Sequence, residues 1–536
     1  MGSSGENCYR NALIGGSLGF LTFGWDAGVL GGVLETPEFQ SAMNYPGTNT
    51  FTMIASVFLL ASWFGCMIIT SFGMRLGRRT WIIAGCLVQV VGTIVCASSF
   101  SAGQLIAGRV LIGIGNGFLT SMIPIYVAEM ATHTSKRGQG VNMMIAAASL
   151  GTALAYWLDF AMTFASTQAV WRFPVAFQIF WAFTTIAFIY PNPESPRYLY
   201  ATGRAEEADA VMERLYGHSI TNKVAQQSKA EILASLELER ADTATLRIKD
   251  FFWDTSSLQI ARRIRTGMIL IGVAYLMGID MIFYYMTTIF EVYIGLPAET
   301  ASGLSAAATT VLTITNYIGV VYMEKFGRRS WLIYGAIGQS VFLAVFTGLL
   351  STPTSTTAAA AAAMLFCWIA VFGPTWGPVT YVYASEIMPL RYRHIGFALS
   401  VSCQWIMAFI TVYAGPIAIA NPSVGYKTWI WFLVFNVIAI PFVYFFCPET
   451  RGHSLEEIDL IFMSETLRGT ESAKILEHGD GQSASDLEHG DRFASVEKPI
   501  SKDVKDQTLF SSPAKEVTEQ PTNEDVAELS GKEATV

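Results

Sequence analysis

The chain contains twelve separate apolar stretches, each long enough to cross a lipid bilayer as a helix. A spanning helix needs roughly 20 mostly apolar residues, and a soluble fold does not need so many uncharged runs of that length. The stretches begin near Asn11, Phe51, Trp81, Gln104, Gly140, Trp171, Thr266, Gly303, Trp331, Ala358, Ile395 and Trp429. The sequence therefore predicts an all-α integral membrane protein of twelve transmembrane helices, with the lipid bilayer as its solvent.

Charged residues make up only 14% of the chain, whereas soluble proteins have about a quarter. No basic patch suited to nucleic acid is present. The seven cysteines show no close-spaced pairs, the six histidines fall in loops or tails, and no glycine-rich phosphate loop precedes a helix. We therefore expect no nucleic-acid partner, metal, cofactor or enzymatic activity.

Basic residues are concentrated in loops on one side of the predicted membrane. These loops contain Arg75, Arg78, Arg79, Lys136, Arg137, Lys325, Arg328, Arg329, Arg391 and Arg393, and the connections on the other side contain only Lys427. By the positive-inside rule, the basic loops and both termini are predicted to be cytoplasmic.

The predicted organisation is two six-helix halves joined by a charged connector. The segments are a cytoplasmic N-terminus at 1–10, an N-terminal half at 11–190, a cytoplasmic connector with short helices at 191–265, a C-terminal half at 266–446, a cytoplasmic motif segment at 447–462 and a tail at 463–536. The tail is rich in Ser, Glu, Asp, Lys and Gly, a composition that cannot bury a core and predicts disorder.

The two halves repeat short motifs in the same order. The matching pairs are Gly24-Trp25-Asp26 with Gly278-Ile279-Asp280, Gly77-Arg78-Arg79 with Gly327-Arg328-Arg329, Glu129 before Arg137 with Glu386 before Arg391, and Pro193-Glu194-Ser195 with Pro448-Glu449-Thr450. Internal repeats that meet around a site near the membrane midplane are the usual build of secondary transporters. The repeat predicts two pseudo-symmetric halves and transport of a small polar solute by alternating access.

Three ionisable side chains lie deep inside the apolar stretches: Asp26, Arg109 and Asp280. Each costs roughly 2.5–3.5 kcal/mol at the membrane centre, so each is a candidate functional residue. At 1.5 Å per residue, Asp26 lies about 22 Å along the first helix and Arg109 about 8 Å from the outer end of the fourth, which is the same level in a core about 30 Å thick. Two interpretations remain open, a proton-coupling pair and a static ion pair.

The cytoplasmic turns pair basic residues with glutamates, which predicts ion-pair networks that hold the cytoplasmic side shut; setting the topology is the alternative role. The gate candidates are Arg78, Arg79, Glu129, Arg137, Arg328, Arg329, Glu386 and Arg391.

Aromatic residues near the expected cavity suit the C–H faces of a carbohydrate. They are Phe283, Tyr284, Tyr285, Trp376 and Tyr381.

These motifs resemble the sugar porter family of the major facilitator superfamily over about residues 10–462. The most specific are Arg75-Leu76-Gly77-Arg78-Arg79, Pro193-Glu194-Ser195-Pro196-Arg197 and Pro448-Glu449-Thr450-Arg451-Gly452. Residues 155–160 and 454–459 are similar to fungal members, which implies a plasma-membrane proton symporter. The resemblance places Asp26 and Arg109 at the family's proton-coupling pair, and Trp376 and Gln404 at sugar-contacting positions.

The chain departs from the family in the seventh helix, where two glutamines and an asparagine are replaced by Ala274, Tyr275 and Asp280. The loss of hydroxyl-binding amides predicts a ligand other than a common hexose. We expect Tyr275, Asp280, Tyr284, Trp376 and Gln404 to line its site. The candidates are a monosaccharide, deoxy sugar, polyol or sugar acid moved by a monomer. The alternatives are a uronic-acid or quinate-like anion, a secondary metabolite, or a nutrient sensor that signals through its tail.

Overall fold

The computed structural model describes residues 5–34, 36–131, 134–165, 167–217, 225–226, 228–230, 232–233, 259–352, 354–388, 393–452, 458 and 461–462. Among these residues there are helices but no strands, and twelve helical spans are long and apolar enough to cross a membrane. The prediction of an all-α membrane protein with twelve spanning helices is confirmed. The tail at 463–536 and most of the connector lie outside the described residues.

The N-terminal half contains six spanning helices and one short outer helix. They are α1 (Gly5–Val33), the short α2 (Pro37–Ala42), α3 (Thr48–Phe72), α4 (Arg78–Ala97), α5 (Ala102–Met130), α6 (Thr134–Met162) and α7 (Ala169–Ile189). Helix α1 begins before the apolar run that starts near Asn11, because Cys8 and Ala12 are already buried in the core there. The connector contains α8 (Pro196–Ala201) and α9 (Ala205–Tyr216).

The C-terminal half contains six spans, two of which are broken. They are α10 (Ile260–Leu276) with α11 (Ile279–Thr288) and a π-helical turn (Ile289–Tyr293), α12 (Ala298–Phe326), α13 (Arg328–Leu350), α14 (Ser355–Phe372) with α15 (Trp376–Glu386), α16 (Arg393–Ala420), and α17 (Thr428–Phe446) after a 3-10 turn (Gly425–Lys427). Helix α10 begins inside the stretch predicted as connector, and Arg263 in its first turn is fully buried.

The same pairs of spans pack together in both halves. In the N-terminal half, α1 packs on α6 and α7, α5 packs on α3 and α4, and α4 packs on α7. In the C-terminal half, α10 packs on α16 and α17, α14 packs on α12 and α13, and α13 packs on α17. Because these are the corresponding helices in order, the repeated motifs reflect a repeated three-dimensional arrangement.

The two halves meet through helices that are themselves related by the repeat. Helix α3 packs on α16, and α6 packs on α12, so the second and fifth spans of each half contact the fifth and second spans of the other. Helix α1 also contacts α11. The interface therefore runs along the pseudo-symmetry axis, where secondary transporters place their substrate site.

The seventh span is interrupted at Gly278, whose φ of +108° strongly favours glycine. The side-chain amide of Asn436 donates to the freed Met277 carbonyl oxygen at 3.2 Å. Non-helical backbone at membrane depth is tolerated where protein groups satisfy its hydrogen bonds. The break begins a second helix, α11, with Asp280 in its first turn.

Close contact between α1 and α6 depends on Gly24. A Cβ atom at Gly24 would lie 2.6 Å from the carbonyl carbon of Ala148, whereas one at Gly103 would meet nothing within 4 Å. We expect Gly24→Ala to lower the free energy of unfolding by about 1–3 kcal/mol through overpacking, and Gly103→Ala to leave it nearly unchanged. Thermal unfolding of the purified variants in detergent measures both. Equal stability of the two variants would contradict this packing.

Candidate functional site

Asp26 and Arg109 form a buried ion pair in the N-terminal half. One guanidinium nitrogen of Arg109, Nη1, donates to both carboxylate oxygens of Asp26 at 2.9 and 2.8 Å. Asp26 is 1% exposed and Arg109 is 3% exposed, so the pair is screened little by water. The predicted equal depth of the two residues agrees with this contact.

Further hydrogen bonds use the remaining donors and acceptors of the pair. Arg109 Nε and Nη2 donate to the backbone carbonyl oxygens of Ile54 and Ala55, both at 3.2 Å. The amide of Gln178 donates to Asp26 Oδ1 at 3.0 Å. The pair thus joins α1, α3, α5 and α7. Each of the three guanidinium nitrogens of Arg109 donates a hydrogen bond to a group of the N-terminal half.

Asp280 faces a group of polar side chains in the C-terminal half. Its carboxyl group is 5% exposed, and Oδ2 has no hydrogen-bond partner within the described residues. It interacts electrostatically with Tyr275, Tyr284 and Tyr381. Asp280 lies in the first turn of α11, directly after the break at Gly278.

A chain of hydrogen bonds connects three of these C-terminal residues. The hydroxyl groups of Tyr275 and Tyr381 are 3.0 Å apart, and the Tyr381 hydroxyl donates to Gln404 Oε1 in a short hydrogen bond. The Gln404 amide nitrogen is buried without a partner. Gln404 therefore presents free donors at the end of this chain of hydrogen bonds.

Tyr284 lies close to both the Asp26–Arg109 pair of the N-terminal half and Asp280 of the C-terminal half. Its hydroxyl interacts electrostatically with Asp26 and Arg109 in one half and with Asp280 in its own half. It is 1% exposed and makes no hydrogen bond of standard geometry within the described residues, although the Arg109 side chain lies close enough to act on its hydroxyl group. A ligand bound between the halves would therefore lie next to the Asp26–Arg109 pair.

Trp376 has a different environment from the other predicted site residues. It is fully buried, and its indole N–H donates to the Leu332 carbonyl oxygen of α13 at 3.0 Å. Its polar group is therefore used within the C-terminal half. Tyr381, five residues further along α15, supplies the hydroxyl of the polar cluster.

Buried polar atoms without partners are costly and rare in folded proteins. Here Asp280 Oδ2, the Tyr284 hydroxyl and Gln404 Nε2 are three such atoms. Asp280 interacts electrostatically with Tyr284 and Tyr381, and Tyr381 is hydrogen-bonded to Gln404, so the three belong to one polar cluster. These three groups include hydrogen-bond acceptors as well as donors. A polyhydroxy ligand could satisfy all three, because each hydroxyl group donates one hydrogen bond and accepts others.

The cytoplasmic motifs of the N-terminal half form a compact network. Arg78 Nε lies 3.4 Å from Glu129 Oε2, and Ser195 donates a short hydrogen bond to the same carboxylate. The backbone N–H of Arg79 donates to both carboxylate oxygens of Glu194 at 3.1 and 3.2 Å. The network connects α4, α5 and the start of the connector.

The C-terminal half repeats this network. Arg328 Nη2 lies 2.9 Å from Glu386 Oε1, and Thr450 donates to Glu386 Oε2 at 2.7 Å. The backbone N–H groups of Arg328 and Arg329 donate to Glu449 at 2.8 and 3.0 Å. In the described residues these ion pairs join helices of the same half. The side chains of the other two gate candidates, Arg137 and Arg391, are outside the described set.

The outer ends of the halves are in contact. The Tyr156 hydroxyl donates a short hydrogen bond to the Phe283 carbonyl oxygen, and Trp157 Nε1 donates to Thr310 Oγ1 at 2.9 Å. A cavity of about 270 Å³ lies nearby. Its lining includes Gln40, Thr48 and Phe51 from one half and Tyr285, Thr288 and Pro416 from the other.

Two residues of this geometry were not identified from the sequence. Gln178 gave no signal because a neutral amide in an apolar helix is common, and only its contact with Asp26 distinguishes it. Asp159 is 3% exposed with neither carboxylate oxygen hydrogen-bonded within the described residues. It lies in the last turn of α6, where an acid is expected to reach the membrane surface.

Comparisons with known proteins agree with this arrangement. The family model described as Sugar (and other) transporter matches residues 12–462. The chain is 28% identical to the Sugar transporter STL1 of Saccharomyces cerevisiae, covering 94% of this chain and 90% of that protein. It is 30% identical to the MFS-type transporter oryC of Aspergillus oryzae, covering 82% and 83%.

Among solved structures, the chain is similar to the proton:xylose symporter XylE bound to 6-bromo-6-deoxy-D-glucose, with a TM-score of 0.73 and 21% identity. That match covers 85% of this chain and 99% of XylE, which other structures describe as the xylose transporter from E. coli. The predicted major facilitator fold and the family resemblance are confirmed.

Removing one member of the buried pair should be far more harmful than removing both. Asp26→Ala leaves the Arg109 charge uncompensated, so we expect the free energy of unfolding to fall by about 3–5 kcal/mol. The double variant Asp26→Ala/Arg109→Met buries no charge and should recover most of that loss. Denaturation of both proteins in detergent measures the difference. A double variant less stable than the single one would show that the pair is not coupled.

Proposed function

Because the chain belongs to the Sugar (and other) transporter family, we propose that it carries a neutral sugar-like solute across the plasma membrane by proton symport. The Asp26–Arg109 pair at the interface carries this proposal. Its carboxylate is buried, yet it lies beside the region where a ligand would bind. Substrate and proton would therefore occupy neighbouring places.

Asp26 is the proposed proton carrier, and Arg109 modulates it. A change in water access to the buried carboxyl group would provide the route by which a proton is loaded or released. Protonation of Asp26 would weaken its two bonds from Arg109, which join α1 to α5. Movement of α1 would then be linked to loading of the proton.

The ligand-binding part of the site is proposed to be the polar cluster of the C-terminal half. Asp280 and Gln404 offer an acceptor and donors without partners, and Tyr284 offers a hydroxyl. A sugar or polyol satisfies such groups, whereas a site left with unpaired polar groups rejects ligands that lack the hydroxyls. A metal, a cofactor and a catalytic group play no part in this proposal.

Anionic sugar derivatives are the weaker alternative. A carboxylate ligand beside Asp280 would need a cation, and Arg109 already donates to Asp26, Ile54 and Ala55.

The sensor alternative is tested by deleting residues 463–536, since a sensor would lose its output and a transporter would keep its flux. We further propose a monomer with both termini in the cytoplasm, as the distribution of basic loops predicts.

Replacing Asp26 with Asn should abolish accumulation while exchange of internal for external substrate continues, since Asn cannot carry a proton. Proteoliposomes with an imposed pH gradient, tested with labelled sugars, polyols and uronic acids at two external pH values, measure both activities. Asp209→Asn is the control, because Asp209 pairs with Lys229 in the connector. Full concentrative uptake by the Asp26→Asn protein would refute the coupling role.

The binding cluster makes a separate prediction. Tyr381→Phe and Gln404→Leu each remove a polar group of the cluster, so KM for the transported solute should rise roughly 10-fold. Trp376→Phe removes an N–H that bonds Leu332, and should reduce thermal stability with little change in KM. Initial rates in the same proteoliposomes measure KM. The reverse pattern, with KM sensitive only at Trp376, would place the ligand elsewhere.

A further inference from the structure

The outer contact between the halves contains a buried acid that the proton pathway above does not use. Asp159 lies on α6, is 3% exposed, and has no hydrogen-bond partner for either carboxylate oxygen within the described residues. Its side chain rests directly on α1. A Cβ atom at Gly32 would lie 2.5 Å from Asp159 Cβ and 2.6 Å from its carboxyl carbon. The close approach leaves no room for water between them.

Asp159 lies one helical turn from the hydrogen bond that joins the outer ends of the halves. Tyr156 is three residues earlier on the same face of α6 and donates to the Phe283 carbonyl oxygen of α11. A Cβ atom at Gly31 would lie 2.6 Å from that carbonyl oxygen. Helices α1, α6 and α11 therefore meet at this point, which we call the outer seam.

The neighbours on α6 also reach across to α12. Trp157 donates to Thr310, and the Phe160 ring would be 3.4 Å from a Cβ atom at Gly303. Three neighbours of Asp159 on α6 thus contact the other half, while Asp159 itself packs on α1 of its own half. Separation of the halves at the outer seam would break the hydrogen bond from Tyr156 to Phe283 and admit water one helical turn from Asp159.

Few charged groups act on Asp159. The titratable group that interacts with it is Tyr156, on its own helix. Arg172, the cation at the outer end of α7, donates instead to the carbonyl oxygens of Ala97 and Ser99 at 2.5 and 2.7 Å. Among the described residues, the other charged groups of the outer ends are partly or fully exposed: Glu38, Glu291, Glu299 and Lys427.

A carboxylate without a cation or hydrogen bonds is much less stable when buried than in water, whereas the neutral acid loses far less. The closed outer seam therefore favours the protonated form of Asp159. When the seam opens, water can solvate the ionised form. Closing and protonation are consequently linked, because each state of the seam favours a different state of the acid.

We propose that Asp159 is a second proton-binding residue of this transporter, loaded from the outside, whose protonation permits the outer seam to close. Only a proton is bound and released in this step. The inference rests on the proposed alternating access but not on proton transport by Asp26. It adds a condition to the cycle, because the outward-open protein closes only after Asp159 has been neutralised.

The test measures the width of the outer seam directly. Spin labels at Phe164→Cys and Glu299→Cys occupy exposed positions at the outer ends of α6 and α12. Cys367 and Cys403, the cysteines that are not fully buried, are first replaced with serine. Electron paramagnetic resonance then gives the distance distribution in proteoliposomes without substrate, from about pH 5 to about pH 8, a range in which a buried acid can titrate.

In the otherwise unchanged protein, we expect the population of long distances to grow as the pH rises. Asp159→Asn keeps the neutral shape of the acid, so the short distance should persist at every pH. Asp26→Asn is the control: loss of the charge of the pair changes the distance distribution at any one pH, but the pH-dependent shift should remain. A shift that is absent in the parent protein, persists in Asp159→Asn or disappears in Asp26→Asn would overturn the proposal.

The same three proteins separate this inference from the proposed function. The distance measurement requires no sugar transport, and the accumulation assay does not report the seam. Full accumulation by Asp26→Asn with a shift that depends on Asp159 would refute symport through Asp26 and leave the outer proton site standing. If Asp159→Asn fails to fold, Asp159→Ser, which removes the carboxyl group and leaves a smaller side chain, replaces it in the same measurement.

Discussion

The buried ion pair between Asp26 and Arg109 is the constraint on which the N-terminal half depends. Two charges inside a membrane protein are stable only if nearly all their hydrogen-bonding capacity is used. Here the carboxylate also accepts from Gln178, and the guanidinium also donates to two carbonyl oxygens of α3. Four helices are thereby held around one charged centre. The half is consequently suited to move as a unit, and any change in the charge of the pair affects all four helices.

The C-terminal half has the same helix packing but a different chemistry. Its repeat of the Gly-x-Asp motif places Asp280 at the start of a broken helix, with tyrosine and glutamine neighbours instead of an arginine. Unpaired polar atoms are stable there only when a ligand or water completes them. The same helix arrangement therefore holds a fully hydrogen-bonded ion pair in the N-terminal half and a polar cluster with unpaired atoms in the C-terminal half. The asymmetry separates the proposed proton site from the proposed ligand site.

The sequence predicted features that depend on the cost of burying charge or on periodic burial. Twelve apolar runs gave twelve spans, and the rarity of membrane-buried charges identified Asp26 and Arg109, which are in contact. Gln178 depended on three-dimensional proximity and had no comparable signal, and Tyr381 was predicted only as one of several aromatic residues near the cavity. The tenth span is broken between Phe372 and Trp376, and the Trp376 N–H donates to the Leu332 carbonyl oxygen within its own half. The direction of a side chain after a helix break does not follow from its position in a motif.

The distribution of strong and weak contacts indicates which motion is easiest. In the described residues, the ion pairs of the spanning helices and their cytoplasmic motifs lie within one half or the other. The halves are joined by single hydrogen bonds, such as those of Tyr156 and Trp157, and by aromatic contacts such as Phe51 with Tyr285. Breaking a neutral hydrogen bond costs much less than separating a buried ion pair. Among the described residues, separating the halves at the outer seam therefore breaks weaker contacts than separating the helices of one half, and the acid proposed for the outer seam lies beside those contacts.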